Sequence, residues 1–537
     1  MNVNTLAGSS FPLKNSYTNF SNWSGEIKGS HIMTCTPASE SELLLAVNWA
    51  YQNKYKARPL GMQHNWSPLT IANSNDNSHV LLIDMKKSFA NISITASADG
   101  GIVTAQTGVT MEKLLTELEK KKLGFIAFPA PGDITLGGVL AIGGHGTALP
   151  AAGETLSRGT TFGSLSNSII SLTAVVWDET QQAYILKKFM RYEADIAAFL
   201  VHVGRAFISE VTLQVPRNKR LRCHSFSNVA IDELFGKPDT GKRDFASFVE
   251  KTGRVEAIWF PFTDKPWVKT WTVTPSYPSK SRPVHSPYNY PFSDNVPKVL
   301  SDIIKNIQNN QPQLTPTLGK TEANLVDIGL GATNSGDLWG WSKDLLLYVK
   351  PTTLRVTANG YAIITRRANI QRVIHEFFTH YQNMVAKYQA VNSWPMNGPV
   401  EIRVTGLDQP TEWLPPGSVA PALSATRPDD NHPEWDTAIW LDILTMPDTP
   451  DANKFYHEME NWIFKNYTGD YAMARVEWSK GWGYTNDGTW SNKNVLNTLI
   501  PQSLGGKDKW DAAIKILNRY DPNNIFSSPM LKKLMIE

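Results

Sequence analysis

Six short stretches of this chain carry side chains whose type and spacing suit chemistry. Glu401 and Arg403 are two residues apart, so on a strand both leave the same face and can hold each other charged beside a substrate oxygen. The bland counterpart is an exposed ion pair of little energetic consequence. Glu256 stands in Arg254-Val255-Glu256-Ala257-Ile258-Trp259-Phe260. Apolar neighbours are expected to raise its carboxyl toward a proton acceptor working near neutrality, unless it simply alternates outward from a strand. His64 lies in Arg58-Pro59-Leu60-Gly61-Met62-Gln63-His64-Asn65-Trp66-Ser67-Pro68-Leu69, between two turn signals, where a histidine can meet a cofactor. An isolated loop histidine more often only bonds backbone. Gly132-Asp133-Ile134-Thr135-Leu136-Gly137-Gly138 and Gly143-Gly144-His145-Gly146-Thr147 leave many backbone N–H groups unshielded, which suits a pyrophosphate. Lys480, between Trp478 and Trp482, is either a surface lysine or a cation serving developing negative charge.

These residues need strands and loops to hold them. Between about residues 30 and 215, β-like runs at Val80–Asp84, Gly101–Gln106 and Ser171–Trp177 alternate with helical patterns at Ser39–Tyr51 and Met111–Lys121, an α+β arrangement. Ser39 followed by Glu42 has capping-box spacing. A third run, His202 to Val215, passes from a glycine into period-2 alternation. From Lys265 to Pro297 aromatics and prolines interleave, so little regular structure is expected; a second such stretch covers about Gly406 to Asp436. Long loops of this kind more often serve as lids or binding surfaces. The expected organisation is residues 1–215, a substrate-binding unit at 216–477, and a return to the first unit at 478–537. Trp510, Ala513, Ile514 and Leu517 mark a last amphipathic helix before Asp521-Pro522.

Composition narrows the classes. The 537 residues are 41% hydrophobic and 19% charged with a formal net charge of +3, which disfavours disorder and a polyanion partner such as nucleic acid. Two cysteines allow at most one disulfide and no metal-thiolate site. His375 and His380 are five apart rather than four, so they miss the zinc-protease face and read as a solvated helix flank. Gly144-His145-Gly146 and Gly329-Leu330-Gly331 both lack the last glycine of a dinucleotide fingerprint, and no nucleophile elbow or P-loop is present.

The three glycine-bearing runs together resemble the flavin-binding domain of the vanillyl-alcohol oxidase and p-cresol methylhydroxylase family. The likeness continues through Arg254–Asp264, Glu401–Arg403, Glu477–Lys480 and Asp521–Phe526, in order across almost the whole chain. It implies a two-domain flavoenzyme, with an FAD-binding domain and a substrate (cap) domain on a mainly antiparallel sheet. It implies that His64 bonds covalently to the flavin 8α carbon, amid Pro59, Gly61, Met62, Gln63, Asn65, Ser67 and Pro68. Gly132, Thr135, Gly137, Gly138, Gly143, Gly144, His145 and Gly146 would hold pyrophosphate and ring, with Val203, Gly204 and Ile208 near the adenine half. Where the family commonly has Gly-x-Gly-His or Gly-Gly-His, this chain has Gly61-Met62-Gln63-His64, which leaves His145 as a rival attachment point.

The His-Asn-Trp-Ser-Pro-Leu loop and the Glu-Ile-Arg pair resemble the covalent-flavin, sterol-oxidising branch. That branch implies hydride transfer from the 3β-hydroxyl of cholesterol or a related sterol to FAD, O2 reduced to H2O2, and 5-ene to 4-ene isomerisation. Arg403 would stabilise charge on the reduced flavin or the alkoxide, Glu401 would orient it, and Lys480 would serve the flavin N1–O2 edge. Glu256 or Glu401 would move the proton. An alditol, carbohydrate or aldonolactone oxidase is the alternative, and a non-catalytic flavin- or sterol-binding protein a further one. The likeness also implies a monomer secreted by a bacterium, its signal peptide outside this sequence. Transient membrane contact would involve Lys265, Lys269, Lys280 and Arg282.

Overall fold

Period-2 alternation along the chain is converted into three sheets. A computed structural model describes residues 10–535, apart from 75, 239–241, 295–297 and 349–354. Strands Asn15–Ser21 (β1), Lys28–Cys35 (β2), Lys56–Leu60 (β3) and Val80–Asp84 (β4) form a mixed sheet in the order β1-β2-β4-β3. Ile92–Ala96 (β5), Gly100–Gln106 (β6), Ile169–Asp178 (β7), Ala183–Met190 (β8) and Phe207–Pro216 (β9) form an antiparallel sheet ordered β5-β6-β9-β7-β8. The nine remaining strands are Arg220–Phe226 (β10), Arg254–Trp259 (β11), Trp267–Val273 (β12), Arg282–Pro283 (β13), Asp337–Trp341 (β14), Thr357–Thr365 (β15), Val400–Gly406 (β16), Thr437–Thr445 (β17) and Ala472–Val476 (β18). Their order is β13-β14-β10-β12-β11-β16-β17-β15-β18, antiparallel except for β13 on β14.

The large sheet separates core from chemistry by alternation. Val255, Ala257, Trp259, Ile402, Val404, Leu441 and Ile443 join one apolar cluster with Phe377, Tyr381, Phe455 and Met459 of helices Ile370–Gln389 and Ala452–Asn466. The intervening residues Glu256, Ile258, Glu401, Arg403 and Leu444 look the other way, into a cavity. A one-residue slip would exchange the two sets, so core burial also fixes which charges face the site.

Helix Glu40–Gln52 starts as its capping spacing predicts: Ser39 accepts from the Glu42 amide at 3.3 Å, and the Glu42 carboxylate accepts from the Ala38 amide at 2.7 Å. Helix Lys507–Tyr520 buries Trp510, Ala513, Ile514 and Leu517 and ends at Asp521; a further helix, Pro529–Met535, follows it. The stretch from Lys265 to Pro297 corrects an expectation, because it contains all of β12: the prolines lie outside Trp267–Val273, a strand that pairs with β10 on one edge and β11 on the other. His375 is no solvated flank either, since its Nδ1 lies 3.0 Å from the Phe235 carbonyl and the ring of His380 stacks on Trp462 at 4.2 Å. Cys35 and Cys223 are both buried and unbridged. Among the described residues no helix is long and apolar enough to cross a membrane.

The C-terminal segment is tied to the first unit through a buried ion pair. Asp521 meets Arg205 and accepts from Tyr184 Oη at 2.5 Å and from the Ile525 and Phe526 amides at 3.0 and 3.1 Å. Asp521→Ala leaves a fully buried guanidinium without its counter-ion, so stability should fall by about 3–5 kcal/mol. A lowered urea midpoint is the measurement; an unchanged one would show that water reaches Arg205.

Candidate active site

The loop after β3 and the loops before and after helix Leu136–Ala141 meet across a cavity of about 640 Å3 whose opposite wall is the large sheet. Gly61 permits that meeting, for a Cβ there would lie 2.8 Å from Thr135 Oγ1. Among the described residues the backbone amides of Met62, Gln63, His64 and Asn65 have no protein acceptor. Gln63 has φ +60°, which turns the loop so that the run of donors borders the cavity. Four consecutive unpaired donors beside a small-residue cradle fit the ring carbonyls or phosphates of a dinucleotide such as FAD.

His64 enters the cavity from this loop, packed near Trp23 and Trp66 with ring centroids at 5.3 and 6.1 Å. Burial lowers its pKa to about 4, so the imidazole is neutral at physiological pH. Neither ring nitrogen has a hydrogen-bond partner among the described residues. His145 differs: its ring stacks on Trp440 at 3.5 Å, Nδ1 lies 3.0 Å from the Gly146 carbonyl, and Nε2 lies 3.8 Å from Glu477 Oε1.

Of the residues expected around a cofactor, Pro59, Gly61, Met62, Gln63, His64, Asn65, Thr135, Gly137, Gly138, Gly144, His145, Gly204 and Ile208 reach the cavity wall. Ser67, Pro68, Gly132, Gly143, Gly146 and Val203 stand behind it. Ser67 donates to the Trp478 carbonyl at 2.6 Å, and Gly132 donates to that of Tyr348 at 2.9 Å. Gly146 backs onto Phe128, Gly143 faces the Val201 side chain, and Val203 is fully buried in the main apolar core; Pro68 follows Ser67 away from the wall. These residues shape the loops from behind the wall.

The charged centre is built by strand register. Lys269 on β12, Glu256 on β11 and Arg403 on β16 lie in one row; Ile258, Glu401 and Asp442 on β17 lie in the next. Lys269 forms a close ion pair with Glu256. Arg403 binds Asp442 closely, with Glu401 at 3.4 Å and Glu256 at 3.8 Å. Lys480 lies 3.7 Å from Asp442 and 4.2 Å from the Trp66 ring centroid. Gly360 lets these groups crowd together, since a Cβ there would stand 2.6 Å from Asp442 Oδ1 and 2.8 Å from Lys480 Cγ.

Four carboxylates (Glu256, Glu401, Asp442, Glu477) thus share three cations (Arg403, Lys269, Lys480). Burial opposes charge on all of them, yet Asp442, Glu401 and Glu256 together push Arg403 above its ordinary value and keep it protonated. Glu477 is held below the carboxylate range, its burial outweighed by Lys480 and His145. Asp442, fully buried beside the Glu477 carboxylate, is pushed up to about 7, and its Oδ1 has no partner. Glu256 corrects an expectation: burial raises its carboxyl, but Lys269 and Arg403 prevail and hold it below its ordinary value. Lys269 is likewise no surface residue; its side chain is 14% exposed and lies 4.6 Å from the Trp267 ring centroid. Asp442 was the functional position least visible in sequence, although a single carboxylate inside Ala438-Ile439-Trp440-Leu441-Asp442-Ile443-Leu444 was its signal.

Beyond the charged rows the same cavity wall is largely apolar, with Phe260, Trp267, Tyr290, Phe292 and Leu444. Trp267, Tyr290 and Phe292 pack mutually with ring centroids 5.2–5.7 Å apart. One end of the cavity therefore offers compensated charge, and the other a rigid aromatic surface.

A family profile described as FAD binding domain matches residues 32–180, and one described as cholesterol oxidase, substrate-binding, matches residues 220–536. The mouse L-gulonolactone oxidase is 27% identical over 247 residues, 46% of this chain and 49% of that protein, so the chain spans about half the length of this relative. Among solved structures, a solvent-stable cholesterol oxidase is 53% identical with a TM-score of 0.96, covering 98% of this chain and 99% of that one. Cholesterol oxidase from Brevibacterium sterolicum is 40% identical with a TM-score of 0.94, covering 98% of both. With well over half its length matched by the substrate-binding profile and nearly all of it by these structures, the chain belongs to the cholesterol oxidase family of two-domain, FAD-binding flavoenzymes.

Proposed function

We propose that the chain oxidises the 3β-hydroxyl of cholesterol and related sterols, yields H2O2 from O2, and isomerises the 5-ene to the 4-ene. The observation that carries this reading is the two-ended cavity: compensated charges on one part of the sheet, then an aromatic wall suited to a rigid apolar nucleus. A polyol has no use for that wall. FAD, when bound, supplies the hydride acceptor and passes the electron pair to oxygen. The unpaired amides from Met62 to Asn65 hold it, and Lys480 and Arg403 are the cations available to balance negative charge. Glu401 is the cavity carboxylate placed to take the hydroxyl proton, because Glu256 is tied to Lys269.

His64 carries the covalent flavin link in this proposal. A neutral ring nitrogen with no protein partner is free to form the bond, whereas both nitrogens of His145 face polar partners. Acid-precipitated wild-type protein should stay yellow, His64→Ala should release its flavin, and His145→Ala should retain it. Peroxide release should accompany cholesterol and not xylitol; turnover of the polyol alone would overturn the sterol assignment.

A further inference from the structure

Helix Thr315–Ala332 closes the aromatic end of the cavity, and its buried stripe contains one residue of the wrong kind. Thr315, Leu318, Gly319, Val326, Gly329 and Leu330 are buried at helical spacing. Glu322 falls in the middle of that stripe, one turn from Leu318 and Gly319 on one side and from Leu325 and Val326 on the other, and it lines the cavity. The helix is seated close to the sheet: a Cβ at Gly319 would lie 2.4 Å from the Pro261 carbonyl, and one at Gly329 would lie 2.2 Å from the Phe292 ring. Leu318 packs with Leu300, Ile304 and Met446, while Val326 and Leu330 pack with Trp267 and Tyr290, so Glu322 occupies the seam between two apolar clusters.

No described residue gives Glu322 a hydrogen bond or a counter-ion. Burial alone raises its carboxyl to about 8, so at neutral pH it is a protonated acid with an O–H to donate. An apolar side chain at this position would complete the stripe and cost the helix nothing.

Strand geometry gives its place along the substrate. Ile258, in register with Glu401, and Phe260 lie along one face of the cavity, two residues from the Glu401 row to the aromatic end, roughly 7 Å at the usual rise. Pro261, against which the helix sits, comes directly after. A sterol with its 3β-hydroxyl at the Glu401 row would therefore bring ring D, the far end of its fused nucleus, toward the Glu322 helix.

We propose that Glu322 is a specificity-determining residue that donates a hydrogen bond to an oxygen on ring D of the steroid, favouring 17-oxo steroids over their 17-deoxy counterparts. This inference rests on the sterol-oxidase reading. A carbonyl there satisfies a half-buried, cavity-lining donor that a hydrocarbon would cover and leave unpaired, and sites built around such a polar group discriminate against ligands lacking its partner.

The test compares two substrates that differ by one oxygen, 3β-hydroxyandrost-5-en-17-one and androst-5-en-3β-ol, by kcat/KM for peroxide release. Wild type should favour the ketone by about tenfold. Glu322→Leu should lower the ketone value and raise that of the deoxy steroid, removing or inverting the preference; Glu322→Gln, which keeps an N–H donor, should retain it. The leucine completes an apolar stripe, so the variant is expected to fold with an unchanged or raised Tm. A wild-type ratio near one, or a preference that survives Glu322→Leu, would overturn the inference. Equal effects of the leucine on both substrates would assign Glu322 a purely structural role and overturn it as well. If no 3β-hydroxysteroid releases peroxide, the sterol-oxidase reading itself fails.

Discussion

Arg403→Met should lower kcat by about 10²–10³-fold, the cost usually seen when a group aimed at developing charge is removed. Arg403 is the one cation of the centre that lies near three carboxylates, Asp442, Glu401 and Glu256. Methionine fills similar volume and leaves those carboxylates with Lys269 and Lys480 alone, neither of which contacts Glu401 among the described ion pairs. Negative charge developing on the substrate oxygen would then have to form beside an uncompensated carboxylate. The sign of the pH effect follows. Removing the positive charge favours the protonated form of each carboxyl, so the working base needs a higher pH to ionise, and the acid limb of kcat against pH moves upward. Asp442, already pushed up to about 7, moves further in the same direction.

Stability and catalysis can be separated here. The single variant leaves Asp442 buried without its arginine, at an expected cost of about 3–5 kcal/mol. In the double variant Arg403→Met, Asp442→Asn that buried acid is gone, so Tm should recover while kcat does not. Recovery of both would mean that Arg403 only keeps Asp442 folded into place. Arg403→Lys should restore part of the rate, because one ammonium cannot span the carboxylates that a guanidinium fork reaches together.

The contrast between Arg403 and Asp442 also shows what a linear chain reveals. Glu401 and Arg403 are two residues apart on one strand, and period-2 geometry alone places them on one face. The loop ending in His64 is likewise local, since its turn signals and its small residues lie within one short segment. Asp442 joins them only through the register of β16 on β17, which pairs Glu401 with Asp442 and depends on contacts from a strand some 40 residues later in the chain. Lys269 follows the same logic: its neighbours in sequence, prolines and aromatics, suggest a surface cation, yet the pairing of β11 with β12 sets it opposite Glu256. The lowered carboxyl of Glu256 follows from that pairing, which overrides the apolar neighbours visible in sequence. Glycine-rich runs reveal the loops, but a glycine that lets backbone pack, as Gly146 does on Phe128, looks the same in sequence as one that borders the cavity.

Glu401→Gln should lower kcat by about 10²–10⁴-fold, the range for loss of a positioned general base, with KM changed far less. Glutamine keeps the shape and can still accept a bond from Arg403, so what is lost is the capacity to take a proton. Glu401 is a better candidate than Glu256 on geometric grounds. Its one described ionic partner is Arg403 at 3.4 Å, whereas Glu256 is clasped by Lys269 and held below its ordinary pKa, which weakens it as a base. Glu256→Gln should therefore cost less, and its main consequence should be a Lys269 left without its carboxylate beside the Trp267 ring. The discriminating measurement is the rate of anaerobic flavin reduction by cholesterol as pH is varied in wild type and both variants. In Glu401→Gln the acid limb should vanish along with most of the rate; in Glu256→Gln it should remain, moved to lower pH because one carboxylate fewer then competes for Arg403. A Glu401→Gln enzyme that keeps a wild-type acid limb, with the limb lost in Glu256→Gln, would exchange the two roles and leave Glu401 as the residue that orients Arg403.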